Sequence, residues 1–155
     1  MSNKKLILVI GATGAQGIAV IDALLAPSKD GNPSPYSVRA LTRDPKSQRA
    51  RELTAKGIEC VKGTYRVLYF YKRELKCRLG SFEDFPAVLA ALKGVYGVWA
   101  NTDGFTVGEA REIYAGMRIF ELAKQIKTVR HYIWSSLDYV TKVVFFHPFG
   151  FILPY

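Results

Sequence analysis

Hydrophobic and polar positions alternate along this chain in a regular order of strand-length and helix-length segments. An apolar run, Lys5-Leu-Ile-Leu-Val-Ile10, predicts a first strand and leads straight into Gly11-Ala-Thr-Gly14-Ala-Gln-Gly17. An amphipathic helical pattern follows from Ile18 to Ala26, and a turn-rich loop, Pro27–Pro35, returns the chain to a second strand at Ser37–Thr42. Asp44, with Pro45 behind it, is the expected cap of a charged helix that ends near Gly57, and Ile58–Lys62 is the third strand. Ser81-Phe-Glu-Asp84 opens another helix with Asp84 in the capping-box position. Phe85, Val88, Leu89 and Leu92 form its buried stripe, and Gly94 ends it. Val95–Ala100 is a fourth strand. A long helix over 108–127 carries Ile113, Met117, Phe120 and Ala123 on one face, and Val129–Ser135 is a fifth strand. Consecutive βαβ steps imply a parallel sheet with right-handed crossovers. The fold class is therefore α/β: a doubly wound parallel sheet, cut short after strand five.

Two segments break this rhythm. Thr64–Gly80 is aromatic and basic, and Val144–Tyr155 is apolar with no charged side chain when His147 is neutral. The first reads as an added hairpin or helix, the second as an apolar tail. The expected organisation is one domain over 1–143, interrupted by an insert at 64–80 and followed by a tail at 144–155.

Strand, glycine turn and helix is the order that a dinucleotide pyrophosphate requires. Gly11 permits a sharp turn, Gly14 lets backbone amides approach phosphate, and Gly17 lets the helix pack closely on the strand. The helix N-terminus then offers free N–H groups and the positive end of its dipole to an anion. Ala12 departs from the Gly-x-Gly-x-x-Gly form, so the pattern draws its weight from its place after the first strand. The class is accordingly a Rossmann-type NAD(P)-binding fold. At the end of strand two, NAD binders place a carboxylate for the ribose 2′-hydroxyl, whereas this chain has Leu41-Thr42-Arg43. Arg43 suits a 2′-phosphate, which selects NADP(H), and Arg39 is a weaker candidate for the same role.

Composition narrows the field. The 155 residues carry a formal net charge of +9, of which the 64–80 block contributes +4. The remainder holds no Lys/Arg block or zinc-finger spacing, which points to a solvated basic surface rather than direct nucleic-acid binding. Cys60 and Cys77 have neither metal-ligand nor redox spacing and suit a reducing compartment. No apolar run reaches membrane-spanning length, so no membrane partner is expected, and a cytoplasmic or nuclear location is.

Four stretches taken in order resemble the NmrA-like family, atypical members of the extended short-chain dehydrogenase superfamily. They are Val9-Ile-Gly-Ala-Thr-Gly-Ala-Gln-Gly17, Val38-Arg-Ala-Leu-Thr-Arg-Asp44, Gly97-Val-Trp-Ala-Asn-Thr102 and His131-Tyr-Ile-Trp-Ser-Ser-Leu137. The resemblance implies NADP(H) across the strand ends. Amides of Thr13, Gly14, Ala15, Gln16 and Gly17 would meet the pyrophosphate, Arg43 the 2′-phosphate, and Asn101 and Thr102 would border the ribose and nicotinamide. Some relatives reduce quinones or small carbonyls. Others are thought to sense the nucleotide redox ratio and bind a transcription factor without turnover.

For chemistry the superfamily uses a Tyr-x-x-x-Lys pair, and no tyrosine here has lysine four residues later. Tyr139 and Lys142 are three apart. His131 and His147 lack partners at a recognisable spacing, and no catalytic or metal-ligating residue is assigned. Deleting Thr64–Gly80 joins Glu59-Cys-Val-Lys-Gly63 to Ser81-Phe-Glu-Asp84 and restores the family pattern. Gly63-Thr64 is encodable with a GT splice donor and Leu79-Gly80 with an AG acceptor, and every valine codon starts with GT. Both odd segments therefore read as translated introns, the second running into a premature stop; the alternative is a real isoform whose insert forms a lid or partner loop. The function expected is an NADP(H)-binding, redox-sensing regulator. Its competitors are an NADPH-dependent reductase and an interaction protein that has lost the nucleotide.

Overall fold

The computed structural model describes residues 4–63 and 82–136, together with the backbone of 144–146 and 152–154. The insert at 64–80 and most of the apolar tail lie outside the described residues. The first strand, β1 (Lys5–Ile10), is apolar after Lys5 and buried from Ile7 to Ile10, where both of its faces are covered. Leu8 and Ile10 point into a core cluster with Val88, Leu92, Val98, Ile119 and Leu122. Ile7 and Val9 point the other way, into a cluster with Ile21, Val38, Ala40, Leu53 and Ile58.

Around β1 the chain builds α1 (Ala15–Leu25), β2 (Tyr36–Thr42), α2 (Gln48–Ala55), β3 (Glu59–Lys62) and α3 (Phe85–Ala91). It continues through β4 (Gly97–Asn101), α4 (Gly104–Val107), α5 (Glu109–Gln125) and β5 (His131–Ser135). The sheet order is β3-β2-β1-β4-β5, with every pairing parallel. Winding runs outward from β1 to β3, then restarts beside β1 at β4. The β1/β4 boundary is thus the topological switch point, where a doubly wound sheet opens a crevice at its strand ends. Two short strands, β6 (Val144–Phe146) and β7 (Ile152–Pro154), pair antiparallel. Among the described residues no helix is long and apolar enough to cross a membrane.

Several helix starts differ from the sequence expectation, each for a local reason. α1 begins at Ala15, not Ile18, so Gln16 and Gly17 already belong to its first turn. In place of Asp44 and Pro45, Ser47 caps α2 by accepting from the Ala50 N–H. Asp44 instead accepts from the Lys46 N–H in a tight turn, which swings the chain off the sheet before the helix can start. In α3, Asp84 is itself the N-cap, accepting from the Ala87 N–H, with Pro86 behind it in the first turn.

The long helix expected over 108–127 is observed as α5, and a short additional helix, α4, precedes it and ends at Gly108, whose φ is 87°. The buried face of α5 differs from the expected one. Ala115, Gly116, Ile119, Leu122 and Ala123 face the sheet, while Ile113, Met117 and Phe120 lie 43–53% exposed on the flank. Small residues carry little weight in a hydropathy pattern, yet they let α5 approach the Trp134 ring of β5. Arg39 is also reassigned. Its guanidinium donates to the Ala91 and Lys93 carbonyls at the end of α3 and pairs with Glu59 at 2.8 Å, so it braces that helix and is not a candidate for phosphate.

On the same face, the Tyr132 ring packs edge-on against Phe120 at 5.2 Å between centroids. Its buried hydroxyl has no hydrogen-bond partner among the described residues, and burial pushes its pKa from 10.0 up to about 12. The folded state therefore favours the neutral phenol. Between those two values the unfolded chain has released this proton and the folded chain has not, so stability falls as pH rises; below them it is unaffected. Tyr132→Phe is expected to remove that alkaline loss. At neutral pH it should leave stability unchanged or raise it by up to about 1 kcal/mol, since an orphaned hydroxyl disappears. Urea unfolding of both proteins at neutral and alkaline pH checks this, and parallel alkaline losses would count against it.

Candidate functional site

The glycine turn sits at the switch point, and two of its glycines are there because no side chain fits. Gly11 has a φ of 78°, and a Cβ added to it would lie 2.9 Å from the Asn101 carbonyl oxygen of β4. At Gly17 a Cβ would lie 2.8 Å from Ala12 Cα and closer still to the Gly11 carbonyl oxygen. The backbone thus folds onto itself: the Gly14 N–H donates to the Gly11 carbonyl at 3.0 Å, and the Ile18 N–H donates to Gly14 to begin α1. Gly14 is the N-cap and contributes no side-chain acceptor, so the first-turn N–H groups of α1 remain available to an anion. A turn of backbone N–H groups suited to an anion is the chemical consequence.

The register Ile10↔Leu41 brings the exit of β2 beside this turn, and Ile10↔Ala100 brings the exit of β4 to its other side. Arg43, directly after β2, is exposed and makes no hydrogen bond or ion pair with any described residue. Asn101 closes β4 half-buried against Gly11. Gln16 is exposed, and its side-chain oxygen accepts from the Ser135 hydroxyl at 2.7 Å, which links the turn to the end of β5. Thr102 is placed differently from its neighbours. It is 8% exposed, and its hydroxyl donates to Glu112 at 2.7 Å and accepts from Trp134 Nε1 at 3.0 Å. That hydroxyl is a strut between β5 and α5.

One residue escaped sequence reasoning. Arg49, on the first turn of α2, donates from an Nη atom to the Thr13 carbonyl at 2.9 Å and so reaches across to the glycine turn. Nothing in the local sequence separates it from Arg51 two residues on; only the tertiary placement of α2 does. Among the described residues no cluster of His, Cys, Asp and Glu could hold a metal ion.

The chain is similar to known proteins in sequence and to solved structures in fold. The NmrA-like oxidoreductase hkm9 of Aspergillus hancockii is 33% identical over 139 residues, which are 87% of this chain and 34% of that protein. A crystal structure of a double mutant of NmrA is 26% identical and superposes with a TM-score of 0.66, over 94% of this chain and 36% of that one. A second, of NmrA as a negative transcriptional regulator in complex with NADP, is 24% identical with a TM-score of 0.65 and the same coverage. The chain spans about a third of the length of the relatives it matches. The model of the NmrA-like family matches residues 3–146, nearly the whole of the 155, and the chain belongs to the NmrA-like family.

Proposed function

We propose that this chain is the nucleotide-holding part of a redox-sensing regulator, which binds NADP(H) and presents its bound state to a transcription-factor partner in the cytoplasm or nucleus without turnover. The glycine turn carries the reading. Gly11 and Gly17 stand where a Cβ would strike backbone, which is what a turn shaped around a phosphate demands. In this reading the amides of Thr13, Gly14, Ala15, Gln16 and Gly17 hold the pyrophosphate, and Arg43 pairs with the 2′-phosphate. Asn101 and the Thr102 backbone lie along the ribose and nicotinamide. When bound, the nicotinamide supplies a hydride donor or acceptor. The NmrA structure with NADP supports the cofactor class.

Equilibrium titration of NADPH and NADH against the chain tests this. NADPH is expected to bind at least about ten-fold more tightly, as one charge-assisted contact provides. Arg43→Gln is expected to reduce that preference while leaving NADH affinity unchanged. Binding of neither nucleotide would sink the reading and leave an interaction protein; equal binding of both would remove Arg43 from its role.

The oxidoreductase names of relatives at 30–33% identity favour a second reading, an NADPH-dependent reductase of quinones or small carbonyls. Oxidation of NADPH in the presence of such acceptors would establish it over the regulator.

A further inference from the structure

Resting on the nucleotide reading, we propose that Arg49 is a second specificity-determining residue, its guanidinium fixed at the glycine turn to pair with a 2′-phosphate opposite Arg43. Three features converge on it. Its bond to the Thr13 carbonyl ties the tip of a long side chain to the turn itself, at 2.9 Å. A guanidinium offers five N–H donors in a rigid fork, and among the described residues this bond is the only one the Arg49 side chain makes. Arg49 is exposed, which leaves its remaining donors open to a ligand.

Position supplies the second argument. β2 exits at Thr42, Arg43 follows, and the Asp44–Ser47 turn brings the start of α2 back toward the glycine turn. Arg43 and the Arg49–Thr13 pair therefore lie at the C-terminal end of β2, the end at which a doubly wound fold receives the adenosine ribose. The nearby carboxylates are already engaged, since Asp44 accepts from the Lys46 N–H and Glu52 from the Gln48 amide.

Preorganisation supplies the third. Arg43 is untethered and loses side-chain freedom on pairing, whereas Arg49 is already held by the turn. The two cations thus have distinct tasks. Arg43 closes on the phosphate after arrival, and Arg49 is in place before it.

The test uses two fragments that differ only at the ribose, adenosine 2′,5′-bisphosphate and 5′-AMP, titrated against the chain and its Arg49→Gln and Arg49→Lys variants. Arg49→Gln is expected to weaken the bisphosphate about ten-fold and 5′-AMP less than about two-fold. Arg49→Lys should recover only part of the loss, because a point charge cannot both hold the carbonyl and fork a phosphate. Equal losses for both fragments would overturn the proposal, since Arg49 would then only shape the turn, as would no loss for either. If the unmodified chain binds NADPH no better than NADH, the 2′-phosphate reading falls and Arg49 falls with it. If that preference is present and Arg49→Gln leaves it intact, Arg49 alone falls.

Discussion

Gly17→Val is expected to destabilise the chain by about 3 kcal/mol or more and to abolish measurable NADPH binding with it. Its first added carbon would meet the Gly11 carbonyl oxygen, Ala12 Cα at 2.8 Å and Ala12 C at 3.0 Å, all of them backbone. No rotamer change relieves such a clash; α1 must move off β1. That helix is anchored by Ile21, which is 0% exposed in the cluster with Val9, Val38 and Leu53, so the shift disturbs a packed layer. β-Branching at valine adds helix-turn crowding to the clash. Against a total stability of about 5–15 kcal/mol for a domain, a loss of this size is large. Gly14→Ala supplies the control, because its Cβ would come no nearer than 3.3 Å to the Gly11 oxygen. It should cost about 1 kcal/mol or less in stability while still weakening NADPH, since a methyl group then stands at the glycine turn. Urea unfolding monitored by circular dichroism, with nucleotide titration alongside, separates the two. Native stability in Gly17→Val would show that α1 is not held as close to β1 as the packing requires.

The parts of this architecture that sequence discloses are those whose cause is local. β1 is legible because a strand covered on both faces must be apolar at every position, as Ile7 to Ile10 are. The glycine turn is legible because Gly11 and Gly17 answer to backbone geometry that no other residue meets. The start of α1 is not, since Ala15 and Gln16 face solvent and add nothing to an apolar pattern. Asp44 and Ser47 both satisfy the local rule for a cap; the turn between them decides which one acts, and that turn exists to leave the sheet. Thr102 shows the limit most clearly. The family resemblance places it beside the ribose, but its hydroxyl partners lie 10 and 32 residues away in sequence, and no spacing discloses them. Arg49 is invisible for the same reason, because its partner Thr13 lies 36 residues earlier on another unit of the sheet.

Gly116→Ala is expected to cost about 3 kcal/mol, an unusual loss for a substitution that ordinarily favours helices. The added carbon would lie 2.5 Å from Trp134 Cη2 and 2.7 Å from Cε2, so it intrudes on the face of the indole ring. The ring cannot simply withdraw. Its Nε1 donates to the Thr102 hydroxyl, which in turn donates to Glu112 on α5, the helix that carries Gly116. Moving Trp134 therefore breaks a half-buried bond, and moving α5 pulls Glu112 away from Thr102. Either response reaches the site, because Thr102 follows Asn101, whose carbonyl sits against Gly11. Trp134→Phe removes the part of the indole that the new methyl would strike, at the expense of a cavity and an unpaired Thr102 oxygen. In a double-mutant cycle the two substitutions together should cost at least about 1 kcal/mol less than the sum of each alone. Strict additivity would mean that α5 and Trp134 relax independently. In that case the Thr102–Trp134–Glu112 network would not tie the helix to the strand end, and NADPH affinity would stay unchanged in Gly116→Ala.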